Sequence, residues 1–179
     1  SNDGGMYAPA TNSSSYLVEV SPLNVILKET YTLDVFKDYF LNSGLLSTIK
    51  TTNKIINVLA SIYAKENKLD NCVLLNERKH VVESINGNIF VVKDNIIKTP
   101  PIEEGCVKGI MRKKIIELLS KSNDYILKEE AISPFELQKV DEVFITNAIV
   151  GILPVTNYKK TRFKTTIAKE LALEIKNLV

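Results

Sequence analysis

The sequence has no tryptophan, a single histidine and only two cysteines. Because the two cysteines form no CxxC pair, the side chains offer no credible zinc-binding set. The formal net charge is only +2, which argues against a nucleic-acid-binding surface. No apolar run approaches the length of a membrane span, and no signal peptide is recognisable. These absences predict a soluble cytoplasmic protein with no metal centre and with neither a nucleic acid nor a membrane as partner.

What is present suits one domain with a sizeable core, since the chain has 179 residues of ordinary apolar content. Residues 1–14 are rich in glycine, asparagine and serine and lack apolar periodicity, so they are predicted to be an interdomain linker. Residues 15–179 are predicted to form a single strand-rich domain with three main helices. A Walker loop and a GxGxxG motif are both absent.

Apolar residues recur with a helical period in three places. They predict helices over Lys54–Asn67, from Gly109 to near Ser122, and over Thr161–Val179. Runs of β-branched and aromatic residues bounded by turn residues predict strands. Four of the strands fall within Val73–Pro101, and the others are Ser15–Val20, Val25–Leu33, Leu45–Lys50, Tyr125–Glu129, Val143–Thr146 and Ile152–Val155.

One carboxylate, Glu83, interrupts an apolar run between Val81 and Ile85, in the second of the four strands within Val73–Pro101. A carboxylate buried there without a partner would be costly. Glu83 therefore either points to solvent by simple strand alternation or faces a cationic partner in a site. The strand by itself leaves both interpretations open.

Three other segments carry groups that could serve chemistry. Lys50 lies just before a predicted helix, where it is either a Schiff-base nucleophile or an ordinary surface lysine. Gly105–Arg112 brings glycine to a helix start, which either offers free backbone N–H groups to a phosphate or is merely tolerated there. Thr146–Ala148 either leaves room for a ligand at the end of a strand or is an ordinary strand exit.

Taken in order, these segments resemble those of the class IV aminotransferases, the fold-type IV enzymes that use pyridoxal phosphate. The resemblance covers nearly the whole chain and keeps the family's spacing. Its motifs are IKTTN at Ile49–Asn53, HVVESINGNIF at His80–Phe90, TP at Thr99–Pro100 with GIMR at Gly109–Arg112, and DEVF at Asp141–Phe144 with PV at Pro154–Val155.

The resemblance implies a mixed α/β (α+β) fold, the pseudo-barrel-like C-terminal domain of the D-amino-acid-aminotransferase-like fold. It also implies pyridoxal 5′-phosphate as the cofactor. Lys50 would hold the cofactor as a Schiff base and move a proton between substrate Cα and cofactor C4′, while Glu83 would keep the pyridine nitrogen protonated. The phosphate would be held by the backbone N–H groups of Ile110, Met111, Asn147 and Ala148.

Two side chains depart from the usual transaminase pattern. Met111 and Ala148 stand where transaminases of the family carry hydroxyl residues, and GIMR with Thr-Asn-Ala is more similar to aminodeoxychorismate lyase. That enzyme eliminates pyruvate to give 4-aminobenzoate, a folate precursor. The alternatives within the family are a branched-chain or a D-amino-acid aminotransferase. Lys79 is a further departure, because the family often has a turn glycine there.

The family also has a smaller N-terminal domain, which supplies an arginine for the cofactor phosphate and part of the substrate pocket. Gly4–Pro9 resembles the end of the connection from that domain. The chain is therefore expected to be the C-terminal cofactor-binding domain alone, with an incomplete active site. The family further implies a homodimer and a small amino substrate. An isolated, non-catalytic domain that binds no cofactor is the alternative.

Overall fold

The computed structural model describes residues 11–23 and 28–177. Within those residues the chain forms two five-stranded sheets, three α-helices and three short 3-10 helices. The helices are α1 (Ile55–Glu66), α2 (Ile110–Leu119) and α3 (Thr166–Asn177), with 3-10 helices at Leu45–Thr48, Ile102–Glu104 and Glu136–Gln138. The strands are β1 (Thr32–Val35), β2 (Asn71–Leu75), β3 (Val81–Ser84), β4 (Asn88–Lys93), β5 (Ile96–Thr99), β6 (Ile126–Glu129), β7 (Glu142–Asn147), β8 (Gly151–Val155), β9 (Asn157–Tyr158) and β10 (Thr161–Arg162).

Both sheets mix parallel and antiparallel pairs. The first has the order β10-β9-β1-β2-β3, in which β1 runs parallel to β9 and to β2. The second has the order β6-β5-β4-β7-β8, in which only β5 and β6 are parallel. The chain crosses between the sheets at the turn from β3 to β4. A Cβ on Gly87 would lie 2.6 Å from the carbonyl oxygen of Thr146, so this turn lies directly against β7 and requires glycine.

The core is layered because the central strands are apolar on both faces. Val81 of β3 and Ile89 of β4 belong to a cluster between the two sheets. Phe90, which alternates with Ile89, packs with residues of α2 and α3 on the outside of the second sheet. Ala60 and Ala64 of α1 cover the outside of the first sheet. Strands buried on both faces need continuous apolar runs, which explains the composition of β2, β3 and β4.

The predicted mixed fold class, its three helices and the four strands within Val73–Pro101 are confirmed. The third helix begins at Thr166 rather than Thr161, because Thr161 and Arg162 pair with β9 instead. Lys79 adopts φ 62°, the left-handed conformation of a turn glycine, at a cost of about 1 kcal/mol. No helix within residues 11–23 and 28–177 is long and apolar enough to cross a membrane.

Two strand predictions are wrong and a third is only partly right. Ser15–Val20 alternates as a strand would, but it lies exposed outside both sheets. Leu45–Lys50 forms a 3-10 turn and a loop, with Leu45 and Leu46 exposed, so its apolar residues are not strand core. The strand predicted at Val25–Leu33 begins only at Thr32. Its residues 25–27 and the predicted connection at Gly4–Pro9 lie outside the described residues.

Glu142, in the DEVF motif, is a buried carboxylate that anchors α3. Its Oε1 accepts hydrogen bonds from the N–H groups of Thr166 (2.9 Å) and Ile167 (3.0 Å), and its Oε2 accepts one from Ala168 (3.0 Å). These first-turn amides have no acceptor within the helix. The carboxylate also lies at the positive end of the helix dipole. Glu142 therefore fixes the start of α3 to the second sheet.

Replacing Glu142 with alanine should lower the free energy of unfolding by about 2–3 kcal/mol, because three amides lose a charged acceptor. Urea denaturation followed by circular dichroism measures the change. Glu174→Ala, on the exposed side of α3, is the matched control and should cost less than about 0.5 kcal/mol. Equal losses in the two variants would contradict the anchoring role.

Candidate active site

A β-bulge sets the direction of Glu83. The register of β2 and β3 shifts between Leu74 and Leu75, so that Glu83 pairs with Leu74 while Val81 pairs with Leu75. Leu74 and Val82 both pack in the cluster under α1, whereas Val81 faces the other sheet. The bulge therefore turns Glu83 toward the α1 side, in the way bulges commonly re-aim side chains at functional sites. Glu83 is only 4% exposed, so the solvent-facing interpretation is wrong.

The Glu83 carboxylate is only partly compensated for its burial. Its Oε2 accepts a hydrogen bond of 2.9 Å from the N–H group of Val107. Burial raises the pKa of Glu83 to about 7, although the Val107 bond and the positive charges of Lys54 and Lys50 act to lower it. The carboxyl group therefore keeps its proton to a higher pH than an exposed carboxyl does, and a further cation beside it would favour the ionised form.

Lys50 lies in the loop between the 3-10 helix Leu45–Thr48 and α1, and it is exposed. Its charge acts on Glu83, so the structure brings these two predicted residues to the same region. The start of this loop is tied to the segment before α2, because the N–H group of Lys108 donates a 3.0 Å hydrogen bond to the carbonyl oxygen of Thr48. An exposed lysine in the same region as a buried carboxylate is an amine that a ligand can reach from solvent.

Ile110 and Met111 form the first turn of α2. The residue before them, Gly109, has no side chain to cap the helix, and the first-turn amides have no acceptor within it. A Cβ on Gly109 would collide with Oδ1 of Asn88, so only glycine allows the helix to start so close to β4. An uncapped helix N-terminus of this kind suits a phosphate.

Asn147 and Ala148 lie at the end of β7. This end of β7 is next to the start of β4, the strand beside which α2 begins. Asn88 of β4 pairs with Thr146 of β7, and its Nδ2 donates a 2.8 Å hydrogen bond to the carbonyl oxygen of Val107. Asn88 thereby links the start of α2 to the end of β7. Ala148 is exposed. Asn88 therefore lies between the two pairs of residues predicted to bind phosphate, Ile110 with Met111 and Asn147 with Ala148.

These groups fit pyridoxal phosphate as a set. The buried carboxylate of Glu83 can face a protonated ring nitrogen, and the exposed amine of Lys50 can form a Schiff base. The uncapped start of α2 offers N–H groups to the phosphate.

Sequence reasoning missed three residues that the structure places here. Val107 bonds Glu83, Asn88 joins α2 to β7, and Lys54 is a half-buried lysine at the N-cap of α1 whose charge acts on Glu83. Asn88 lies in the HVVESINGNIF motif, but the motif alone assigned it no function. Val107 acts through its backbone, so its side chain carried no signal.

The fold is that of solved branched-chain aminotransferases. A crystal structure of the branched-chain aminotransferase from Thermoproteus uzoniensis with norvaline superimposes with a TM-score of 0.79 at 24% identity, covering 85% of this chain and 52% of that one. The sequence profile of the family described as Amino-transferase class IV matches residues 1–158. The chain therefore belongs to the class IV aminotransferases, a family of transaminases and lyases that use pyridoxal phosphate.

Curated relatives divide between two activities. A Methanocaldococcus jannaschii protein provisionally named a branched-chain-amino-acid aminotransferase is 37% identical over 107 residues, 60% of this chain and 37% of its own. The aminodeoxychorismate lyase of Vibrio harveyi is 34% identical over 112 residues, 63% of this chain and 41% of its own. The matches thus span about two fifths of the length of these curated relatives.

Glu83 predicts a specific pH dependence of stability in the cofactor-free protein. Between the ordinary carboxyl pKa of 4.5 and about 7, the folded protein keeps a proton that the unfolded chain has released. The free energy of unfolding should therefore fall as pH rises through this window and level off above it. Glu83→Gln should lose this dependence and exceed wild-type stability at about pH 8 by about 1–3 kcal/mol.

Denaturant unfolding at several pH values between about 4.5 and 8 measures this effect. Glu66→Gln, at an exposed position on α1, is the control and should keep the wild-type profile. A Glu83→Gln profile parallel to that of the wild type would show that Glu83 is not held in its neutral form.

Proposed function

We propose that residues 15–179 are the cofactor-binding domain of a pyridoxal-phosphate enzyme, and that the whole protein is an aminodeoxychorismate lyase. The observation that carries the cofactor assignment is Glu83, a buried carboxylate whose neighbouring lysines do not offset its burial. A protonated ring nitrogen against this carboxylate would supply the missing charge. The proposal includes an N-terminal domain and a homodimer, as the resemblance to the family implies.

In this proposal the bound cofactor supplies an electron sink for charge that develops at substrate Cα. Glu83 holds the proton on the ring nitrogen, and Val107 keeps the Glu83 carboxylate in place. Lys50 would hold the cofactor covalently and would then take the proton from substrate Cα. The phosphate is bound by backbone N–H groups at the start of α2 and the end of β7, those of Ile110, Met111, Asn147 and Ala148.

In the lyase reaction, the steps after the first proton transfer would need no further acid or base from the protein. Lys50 would take the proton from Cα, the C–O bond to the enolpyruvyl group would break, and the ring would become aromatic as 4-aminobenzoate. The released enolpyruvate would tautomerise to pyruvate. Met111 and Ala148 support this reaction over transamination, because neither side chain offers a hydroxyl group beside the proposed phosphate amides. The Vibrio harveyi lyase, at 34% identity, adds support.

A transaminase is the second candidate, supported by the 37% identity to the Methanocaldococcus jannaschii protein. The two reactions would use Lys50 and Glu83 in the same way until the proton leaves Cα. They differ in the next step, because a transaminase returns the proton at C4′ and releases an oxo acid. The branched-chain and D-amino-acid substrates would be distinguished by contacts of the substrate carboxylate.

Full-length protein mixed with pyridoxal phosphate should show the visible absorbance band of a lysine-bound cofactor, and borohydride should bleach it. Lys50→Ala should abolish the band, because it removes the amine that forms the Schiff base. Lys65→Ala, on the exposed last turn of α1, should leave the band unchanged. A full-length protein without any such band would favour the isolated, non-catalytic alternative.

Full-length protein given aminodeoxychorismate should release pyruvate and 4-aminobenzoate, whereas leucine with 2-oxoglutarate should give no glutamate. Coupled lactate dehydrogenase and fluorescence detection of 4-aminobenzoate monitor the first reaction. Glu83→Gln should reduce the rate by roughly a hundredfold or more, because an uncharged amide cannot hold the ring nitrogen protonated. Turnover of leucine or D-alanine alone would identify a transaminase instead.

A further inference from the structure

A further buried carboxylate, Glu104, lies outside the site and accepts hydrogen bonds from a single turn. It is 8% exposed, and its Oε2 accepts hydrogen bonds from Nδ2 of Asn76 and from Nη2 of Arg78 at 3.0 Å. Nδ1 of His80 lies 3.1 Å from the same oxygen. All three donors belong to the turn between β2 and β3. Glu104 therefore ties the 3-10 helix Ile102–Glu104 to that turn.

The same turn also holds the segment that leads to Lys50, residues 43–50, which contains the 3-10 helix Leu45–Thr48 and is called the Lys50 loop below. Arg78 donates a 3.0 Å hydrogen bond to Oγ of Ser43 and lies 3.3 Å from the carboxylate of Glu77. The Glu77 carboxylate accepts hydrogen bonds from both the hydroxyl and the N–H group of Ser43. One Arg78 side chain thus connects Glu104 to the start of the Lys50 loop.

The residues after Glu104 build the candidate site. Gly105 has φ 100° and lies so close to the Lys50 loop that an added Cβ would be 3.1 Å from Cα of Ser43. Val107, three residues after Glu104, donates the hydrogen bond to Glu83, and Gly109 is the N-cap residue of α2. Any displacement of Glu104 would therefore be transmitted over a few residues to both contacts.

The network is made of charge-assisted hydrogen bonds. Burial alone would raise the pKa of Glu104, but hydrogen bonds from Arg78, Asn76 and His80 lower it below the ordinary carboxyl value. The carboxylate is therefore ionised at neutral pH, and such bonds are roughly twice as strong as neutral ones. Glu103, its neighbour, is exposed, and only its backbone carbonyl accepts a bond from Arg78.

We propose that Glu104 is a positioning residue, whose carboxylate holds residues 105–109 so that the Val107 N–H group meets Glu83 and α2 begins beside Asn88. The proposal rests on the role proposed above for Glu83. In this proposal Glu104 bonds the turn between β2 and β3 and does not itself touch cofactor or substrate. It acts by fixing the Val107 N–H group, a backbone donor that offsets part of the cost of burying the Glu83 carboxylate.

The test measures the Glu83 carboxyl group directly in full-length, cofactor-free protein. Carbon-13 labelling of glutamate carboxyls gives a signal for Glu83, assigned by its loss in Glu83→Gln, and NMR measures its titration midpoint. Glu104→Gln replaces the acceptor of three donors with an amide. The Val107 bond should then weaken, the Glu83 midpoint should move upward, and the Val107 amide should exchange with solvent about three- to tenfold faster.

Glu103→Gln is the matched control, because it removes the same charge from the adjacent residue without touching the network. Loss of a nearby negative charge alone would move the Glu83 midpoint downward, which is opposite to the positioning effect. His80→Ala removes one donor at a half-exposed position, so this variant should fold even if Glu104→Gln does not. It should move the Glu83 midpoint upward by a smaller amount.

A Glu83 midpoint in both Glu104→Gln and His80→Ala that matches Glu103→Gln or lies below it would overturn the proposal. That outcome is distinct from failure of the proposed function, which the absorbance band of the wild-type protein tests separately. With cofactor bound, Glu104→Gln should also shift the pH profile of the absorbance band, and the native profile should persist in Glu103→Gln.

Discussion

The hydrogen bond from the Val107 N–H group to Glu83 is the contact on which the candidate site depends. It joins the residues before α2 to the bulged strand β3, and it satisfies one oxygen of a buried carboxylate that the bulge has turned toward the α1 side. Because this bond and the nearby lysines do not fully offset burial, the pKa of Glu83 stays near 7. A carboxyl group in that range responds strongly to any added cation or lost donor.

Close backbone approach provides the second constraint. Gly87 and Gly109 each lie where a Cβ would collide, the first with β7 and the second with Asn88. Asn88 uses the space left by Gly109 to bond the carbonyl oxygen of Val107, so the same residue fixes the strand edge and the start of α2. The geometry around Val107 therefore depends on glycine at positions 87 and 109 as much as on the hydrogen bonds that are made.

Local patterns in the sequence predicted much of this fold, and long-range contacts account for what they missed. The strands within Val73–Pro101 and the three periodic helices are confirmed, although on α1 the buried residues are Ala60 and Ala64, whereas Ile55 and Ile62 are exposed. Ser15–Val20 alternates equally well but forms no strand, since alternation does not supply a neighbouring edge to pair with. The bulge that redirects Glu83 could not be predicted, because alternation assumes a regular register, whereas Leu74 pairs with Glu83 and Leu75 with Val81. The family motifs predicted Lys50 and Glu83, but only the structure shows that Glu83 is buried, bonded by Val107 and influenced by Lys54 and Lys50.

The proposed site separates cofactor binding from the choice of reaction. In the proposed site, phosphate binding through the N–H groups of Ile110, Met111, Asn147 and Ala148 would depend on where the backbone lies. The buried Asn88 joins the two segments that carry these groups, because it bonds Val107 and pairs with Thr146. The side chains of Met111 and Ala148 are not fully buried, so they can differ from those of a transaminase without disturbing the backbone. In the proposed site, a hydroxyl gained or lost at either position would change the side chains there and leave the phosphate amides in place. The same framework can therefore serve a lyase or a transaminase, which accounts for relatives of both kinds matching this chain at similar identity.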